Sequence, residues 1–164
     1  MPLSVGTKAP DFALPSKNKD GIEVVQLSSY QGKKNVLILF FPAAFTSVCT
    51  SEMCSISEDY SKYDALGAAV LGISGDSPFA LEAWAQRERI TTPLLSDYDH
   101  AVARAYDVAY AHFPPGTNLL PASVSKRSAF IVDKQGVVQY AESSDNPKQL
   151  PDFAAIEARL KQIA

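Results

Sequence analysis

The sequence contains few cysteines, no long apolar run and no excess of basic residues, and each shortage excludes a class of protein. Two cysteines in 164 residues cannot form the disulfide framework that is typical of small secreted domains. The longest apolar run, residues 36–41, has about six residues, whereas a membrane-spanning helix needs about 20. Fifteen basic residues against 18 acidic ones give a net charge of −3, which has the wrong sign for a nucleic-acid-binding surface.

The composition is otherwise that of an ordinary folded protein, with 46% hydrophobic and 20% charged residues. A chain of this length predicts a single domain over residues 1–164 and buries enough surface to fold without disulfides. The first residues form neither a basic nor an apolar segment, so we expect no secretory signal and no membrane attachment. We therefore expect a cytoplasmic protein, in which cysteines stay reduced unless they are catalytic or act as sensors.

Apolar patterns predict buried strands that alternate with helices. Strands are predicted at residues 22–27, 36–41, 68–73, 128–132 and 137–141, of which the last two form a hairpin. Helices are predicted at residues 46–66, 78–89, 100–106 and 151–163. Several prolines and a glycine predict a surface loop at residues 112–126. The order predicts an α/β sandwich of the thioredoxin-like type, with a mixed central β-sheet and helices on both faces.

Residues 40–54 join a buried strand to a helix and contain both cysteines. Thr46 suits a helix N-cap, which places Cys49 at the third helical position, beside free backbone N–H groups and the positive end of the helix dipole. A free thiol has a pKa of about 8.5, and a mostly ionised one needs roughly 3.4 kcal/mol of stabilisation. The dipole supplies up to ~2 kcal/mol. A cation must supply the remainder, and Arg127, at the start of a predicted strand, is the best candidate.

The spacing Pro42-x-x-x-Thr46-x-x-Cys49 resembles the active-site signature of the peroxiredoxins, which are thiol peroxidases with a thioredoxin-like fold. The resemblance covers nearly the whole chain and includes residues 6–12, 74–77, 94–97, 103–106 and the arginine-bearing strand at 127–133. Phe45 resembles the one-cysteine AhpE-like branch of the family. Cys54, five residues beyond Cys49, resembles instead the bacterioferritin-comigratory (PrxQ) branch.

The resemblance implies a role for each of these residues. Cys49 would be the peroxidatic nucleophile, whose thiolate attacks the terminal oxygen of hydrogen peroxide or an organic hydroperoxide and becomes a sulfenic acid. Thr46 would hydrogen-bond the peroxide, Arg127 would stabilise the thiolate and the leaving oxygen, and Pro42 would shield the sulfur from water. Glu52, one turn beyond Cys49, is expected to orient the arginine. Sulfur itself carries the two electrons, so we expect neither a metal nor an organic cofactor.

Cys54 is the candidate resolving cysteine, but an intact helix keeps it away from Cys49. Residues five apart on a helix differ by about 7.5 Å in rise and about 140° in rotation, so their Cα atoms lie about 8.6 Å apart. A disulfide tolerates at most about 7 Å. If Cys54 resolves the sulfenic acid, the start of the helix must unwind, and thioredoxin or a similar dithiol protein is then the implied reductant. The alternative is that Cys54 is only a small side chain in an amphipathic helix.

Other functions and sites stay open at this stage or are disfavoured. The chain could be a one-cysteine peroxidase that depends on an external thiol, or a redox sensor or relay that passes oxidation to a client protein. We expect a monomer or a homodimer. His100 and His112 lie apart from each other and from both cysteines, which disfavours a zinc site. Asp97 and Asp99 are expected to cap a helix rather than to act as acid and base.

Overall fold

The computed structural model describes residues 1–117 and 123–164, so part of the predicted loop at 112–126 lies outside the described residues. Among the described residues, no helix is both long enough and apolar enough to cross a membrane. The strands are β1 (Ala13–Asn18), β2 (Gly21–Gln26), β3 (Asn35–Phe40), β4 (Ala68–Ser74), β5 (Leu94–Ser96), β6 (Arg127–Val132) and β7 (Val138–Ser144). The helices are α1 (Ser47–Glu58), α2 (Tyr60–Ala65), α3 (Pro78–Glu88), α4 (Ala101–Ala105) and α5 (Phe153–Ile163).

The core is a five-stranded mixed sheet in the order β5-β4-β3-β6-β7. Strand β3 pairs in parallel with β4 and antiparallel with β6. All residues of β3 are buried, because its side chains alternate between two apolar clusters, one on each face of the sheet. Helices α1, α2, α3 and α5 contribute to one cluster, and α4 contributes to the other together with the β1–β2 hairpin. The predicted α/β sandwich with helices on both faces is therefore confirmed.

The hairpin of β1 and β2 differs from the sequence prediction, which contained only its second strand. Strand β1 has the sequence ALPSKN, in which proline, lysine and asparagine are all disfavoured in strands. It forms because it pairs antiparallel with β2 and because Ser16 Oγ donates a hydrogen bond to the Leu94 carbonyl, 2.8 Å away on the central sheet. The pairing with β2 is local, across a turn at residues 19–20, whereas the contact with Leu94 joins residues 78 positions apart and has no local signal.

The predicted helix at residues 46–66 is interrupted in the structure. Helix α1 ends at Glu58, Asp59 has non-helical dihedral angles (φ −90°, ψ 5°), and α2 begins at Tyr60. Aspartate competes for backbone hydrogen bonds inside helices and favours their ends, which accounts for a break at this residue. The break lies beyond both cysteines, so Cys49 and Cys54 share the same uninterrupted helix.

Candidate active site

The antiparallel pairing of β3 with β6 brings Arg127 to the start of α1. Phe40, the last residue of β3, pairs with Ser128. Because β6 runs in the opposite direction, its first residue, Arg127, lies beside the segment that follows β3. That segment leads into α1, which begins at Ser47, so that Cys49 is the third helical residue. The sheet register thus brings together two side chains that are 78 positions apart in sequence.

The Cys49 sulfur is buried and receives a hydrogen bond from a guanidinium group. Its side chain is 1% exposed and packs in the apolar cluster beneath the sheet. Arg127 Nη2 donates to Sγ across 3.1 Å. Burial disfavours a charged sulfur, whereas a cation, a charge-assisted hydrogen bond and the first turn of a helix all favour it. The arrangement can therefore stabilise a thiolate in a place that solvent hardly reaches.

Arg127 is itself buried, at 2% exposure, and divides its N–H groups among three acceptors. Nη1 donates to the Glu52 carboxylate at Oε2, and Nη2 donates to Cys49 Sγ. The backbone carbonyl of Pro147 accepts from both Nε, at 3.0 Å, and Nη2, at 2.8 Å. A guanidinium group is planar and its donors are fixed in direction, so these acceptors together determine where the group points.

Glu52 is fully buried, and its two carboxylate oxygens have different environments. Burial raises the pKa of this carboxyl group to about 7, and the charge of Arg127 opposes that rise. Oε2 accepts from Arg127, whereas Oε1 is buried without a hydrogen-bond partner among the described residues. Glu52 and Arg127 form an ion pair in a poorly solvated place, one turn of α1 beyond Cys49.

Thr46 occupies the N-cap position of α1 by its backbone, but its side chain does not cap the helix. Its dihedral angles are extended (φ −94°, ψ 151°), and its carbonyl accepts from the Thr50 amide. Oγ1 donates instead to the Ala43 carbonyl across 2.7 Å. Thr46 is thus the N-cap residue, as predicted, but no backbone amide donates to its side chain among the described residues. A hydroxyl that donates to Ala43 keeps its oxygen lone pairs for an incoming O–H group.

A small depression of about 130 Å³ opens over the sulfur of Cys49. The depression is lined by residues near the start of α1, by Arg127 and by residues of two loops: Pro42, Thr46, Ser47, Val48, Cys49, Phe113, Arg127, Pro147 and Lys148. Pro42 is buried and lies in this wall, as the shielding role requires. Phe113, Pro147 and Lys148 were absent from the sequence prediction. They lie in loops far from both cysteines in sequence, and no residue pattern marks them.

Cys54 lies on α1 but is directed away from Cys49. Its half-buried thiol donates a weak hydrogen bond, 3.6 Å long, to the carbonyl of Glu88, the last residue of α3. Burial raises the pKa of this thiol, and the carboxylates of Glu88 and Glu58 raise it further. Both cysteines are free, and α1 is continuous between them. The intact helix thus keeps Cys54 as a neutral thiol against α3.

The two aspartates that were predicted to cap a helix both accept hydrogen bonds from backbone amides of α4. The Asp97 carboxylate accepts from the backbone amides of Val102 and Ala103, at 3.1 and 2.8 Å, so its predicted role as a helix cap is confirmed. Asp99 accepts from the Ala101 amide at the same helix. In residues 1–117 and 123–164, no group of three or more histidine, cysteine, aspartate or glutamate side chains could hold a metal ion.

Comparison with known sequences gives a consistent set of relatives. The model of the AhpC/TSA family matches residues 5–141 of the chain. A putative peroxiredoxin of Synechocystis is 38% identical over 146 residues, which cover 85% of this chain and 68% of the relative. An alkyl hydroperoxide reductase E of Mycobacterium tuberculosis is 36% identical over 142 residues, which cover 85% of each chain.

Solved structures show the same similarity over the whole chain. The peroxidoxin BcpB of Mycobacterium tuberculosis superposes with a TM-score of 0.83 at 27% identity and covers 99% of both chains. A reduced 2-Cys peroxiredoxin of Plasmodium vivax superposes with a TM-score of 0.82 at 28% identity and covers 97% of this chain and 81% of its own. The chain therefore shares the overall fold of these peroxiredoxins.

Proposed function

This chain belongs to the AhpC/TSA family and is a peroxiredoxin, a thiol-dependent peroxidase of thioredoxin-like fold, and on that premise we propose that Cys49 reduces the peroxide and Cys54 resolves the product. The observation that carries the proposal is the hydrogen bond from Arg127 Nη2 to Cys49 Sγ at the start of α1. It places a cation at hydrogen-bond distance from the residue type that peroxide reduction requires.

The first step is an attack of the Cys49 thiolate on the terminal oxygen of a hydroperoxide. A sulfur–oxygen bond forms, the O–O bond breaks, and the remaining oxygen leaves as an alcohol or water after it takes up a proton. Arg127 stabilises the thiolate before the attack and the charge that develops on the leaving oxygen during it. Thr46 Oγ1 accepts a hydrogen bond from the peroxide, and Pro42 excludes water from the sulfur. Glu52 holds the guanidinium in place.

The second step joins Cys49 and Cys54. The Cys54 sulfur attacks the sulfenic acid, a disulfide forms, and the hydroxyl group leaves as water. Residues five apart on the intact α1 lie too far apart for a disulfide, so the first turns of α1 unwind before this step. Unwinding also releases the Cys54 thiol from Glu88 and from the carboxylates that keep it protonated.

A dithiol protein such as thioredoxin then reduces the disulfide and returns both cysteines to free thiols. A cytoplasmic location fits this cycle, because thiol reductants are available there. The Mycobacterium relative is named for alkyl hydroperoxides, and the small apolar lining of the depression over Cys49 suits organic hydroperoxides as well as hydrogen peroxide. We propose that residues 1–164 carry out this cycle as one domain, as a monomer or a homodimer.

Replacing Cys54 by serine tests the second step. We expect the variant to be oxidised once by peroxide at the wild-type rate, because Arg127 and Cys49 are untouched. Turnover with thioredoxin should then fall to background, since the variant has no second thiol with which the sulfenic acid could form a disulfide. Steady-state peroxide consumption with thioredoxin, and intact mass after one equivalent of peroxide, measure the two effects.

Mass spectrometry separates the proposed cycle from the alternatives. Wild-type protein should lose two hydrogen atoms, whereas Cys54→Ser should gain one oxygen atom. If wild-type protein accumulates sulfenic acid while Cys54 is still free to react with an alkylating agent, the chain is a one-cysteine peroxidase. If it is oxidised once and is trapped as a mixed disulfide with another protein, it is a redox relay.

Replacing Thr50 by valine tests the unwinding of α1. Thr50, Cys54 and Ser57 form one stripe of α1 and bind α3 or the loop after it. Thr50 Oγ1 accepts from Trp84 Nε1 across 3.1 Å. Loss of this hydrogen bond makes unwinding easier, so we expect the disulfide to form about fivefold faster. Trp84 is the only tryptophan, so its fluorescence after a pulse of peroxide follows the step.

Ser57→Ala is the matched control for Thr50→Val. Ser57 Oγ accepts from the amides of Thr91 and Thr92 at the far end of the same stripe, two turns beyond Thr50 and one turn beyond Cys54. We expect this variant to lose stability without forming the disulfide faster. Equal rates in both variants and the wild type would contradict the proposal that unwinding of the first turns limits disulfide formation.

A further inference from the structure

Glu52 has a second carboxylate oxygen that could compete with the Cys49 sulfur for the N–H groups of Arg127. A guanidinium group and a carboxylate favour a bidentate pair, in which two N–H groups meet two oxygens. In the structure, Glu52 accepts a hydrogen bond from Arg127 at Oε2 alone, and Oε1 is buried without a hydrogen-bond partner among the described residues. A bidentate pair that brought Nη2 to Oε1 would satisfy this oxygen and remove Nη2 from Cys49. Some other contact must therefore hold Arg127 in the observed position.

That contact is the carbonyl of Pro147, which accepts from both Nε and Nη2. It lies in the segment of residues 145–151 between β7 and α5, and Pro147 is only half-buried. The segment is fixed near its start by Tyr110, whose hydroxyl donates to the Asp145 carbonyl across 2.9 Å. Tyr110 is 6% exposed, and burial raises the pKa of its phenol, which stays a donor at neutral pH.

We propose that Tyr110 is a positioning residue for peroxide reduction: through Asp145 and the Pro147 carbonyl it keeps Arg127 directed at Cys49 rather than paired with both oxygens of Glu52. The inference rests on the proposed role of Cys49 and extends the machinery to a residue that does not touch the sulfur. It accounts for the buried Oε1 of Glu52, which has no hydrogen-bond partner in residues 1–117 and 123–164. The guanidinium has two competing arrangements, and the 145–151 segment selects the one that activates the sulfur.

The neighbouring ion pair cannot take over this task. Lys126 Nζ lies 2.6 Å from Asp145 Oδ1, but the Asp145 side chain is 88% exposed, and surface ion pairs contribute little in water. Lys126 also lies over the Tyr110 ring, 5.8 Å from its centre, and so depends on the same tyrosine. The amide of the same peptide unit, that of Asn146, donates to the adjacent Ser144 Oγ across 3.1 Å, so the buried hydroxyl of Tyr110 is the contact that ties the Asp145 carbonyl to a distant part of the chain.

The test compares Tyr110→Phe with Tyr106→Phe. Tyr106 is also buried and also donates to a backbone carbonyl, that of Pro10 at 2.8 Å, but it lies in the cluster on the other face of the sheet. Each variant loses one buried hydroxyl and one hydrogen bond of the same kind. The readout is the rate constant for the first oxidation of Cys49 by peroxide, followed from pH 5 to 9, with urea unfolding as the measure of stability.

We expect Tyr110→Phe to lower this rate constant about fivefold at neutral pH, which is the effect of one ordinary hydrogen bond on a two-state equilibrium. Its pH profile should also differ from that of the wild type, because the sulfur loses its hydrogen bond from Arg127. Glu52 and Lys148 are the other charged groups at this site, and both are unchanged. Tyr106→Phe should lose comparable stability and keep the wild-type rate and profile.

A double-mutant cycle with Glu52→Gln identifies the mechanism. Glutamine has only one side-chain oxygen and no charge, so the competing bidentate arrangement is no longer available. The effect of Tyr110→Phe should therefore shrink in the Glu52→Gln background. Equal rates and pH profiles for Tyr110→Phe and Tyr106→Phe, or an undiminished effect in that background, would overturn the inference. If wild-type Cys49 itself is not oxidised, the proposed function fails instead.

Discussion

Replacing Cys49 by serine is expected to abolish peroxide reduction. The hydroxyl of serine has nearly the shape of the thiol but stays protonated at neutral pH, and oxygen does not accept a second oxygen as sulfur does. Arg127 and Glu52 keep their places, so their electrostatic stabilisation acts on a group that cannot react. Peroxide consumption with either thioredoxin or a monothiol should equal that of buffer. Intact mass after an excess of peroxide should show no oxygen at residue 49.

The matched control for this loss is Cys54→Ser, which makes the same substitution five residues further along α1. That variant retains one oxidation, so the two serine variants separate the attacking sulfur from the resolving one. Urea unfolding should show that Cys49→Ser is folded, because the substitution adds no volume to the buried site. Peroxide reduction by Cys49→Ser at more than a few per cent of the wild-type rate would assign the chemistry to another group.

The central part of the fold could be predicted because its signals are local. The apolar runs at residues 36–41 and 68–73 coincide within one residue with β3 and β4, since a strand buried on both faces needs side chains that are apolar without interruption. The break after Phe41 and the helix that begins at Ser47 follow from Pro42 and the residues near Thr46. Together these signals place Cys49 near the start of the helix that follows the strand.

The surroundings of Arg127 could be predicted only in part. The sequence offered Arg127 as an arginine that opens a predicted strand, and the resemblance to the peroxiredoxins implied the role of Glu52. The antiparallel register that brings Arg127 to the end of β3 is seen only in the structure. The carbonyl of Pro147 offers no sequence signal, because any residue type carries a backbone carbonyl. Tyr110 binds that segment through Asp145, 35 positions away. Contacts of this kind depend on tertiary packing and become visible only in the folded chain.

The relation between the two cysteines illustrates the same limit. Helix geometry alone predicts that Cys49 and Cys54 cannot join without unwinding. The structure adds why Cys54 stays unreactive until then, because the Glu88 carbonyl at the end of α3 accepts from its thiol and two carboxylates lie near it. Under the proposed cycle, a thiol held in this way in the folded helix becomes available only after unwinding, so that the peroxide reacts with Cys49.

Replacing Arg127 by methionine is expected to slow the oxidation of Cys49 by about 10²–10³-fold, the usual effect of removing one preorganised donor from an active site. The sulfur loses its hydrogen bond and the nearby cation in one step. Glu52 also loses the charge that lowers its pKa, so burial keeps it protonated at neutral pH. A carboxyl group whose folded pKa lies above its unfolded value of 4.5 stabilises the fold less as the pH rises between those values, so the variant should be most stable in mild acid.

Arg127→Lys separates the charge from the geometry of the guanidinium group. Lysine keeps a cation but has a single ammonium group, which cannot reach the Glu52 carboxylate, the Pro147 carbonyl and the Cys49 sulfur together. We expect a rate between those of the wild type and Arg127→Met, measured at a pH where urea unfolding shows both variants to be folded. A lysine variant as fast as the wild type would mean that charge alone activates the sulfur and would remove the need for Tyr110 and Pro147. A methionine variant as fast as the wild type would mean that the start of α1 suffices without any cation.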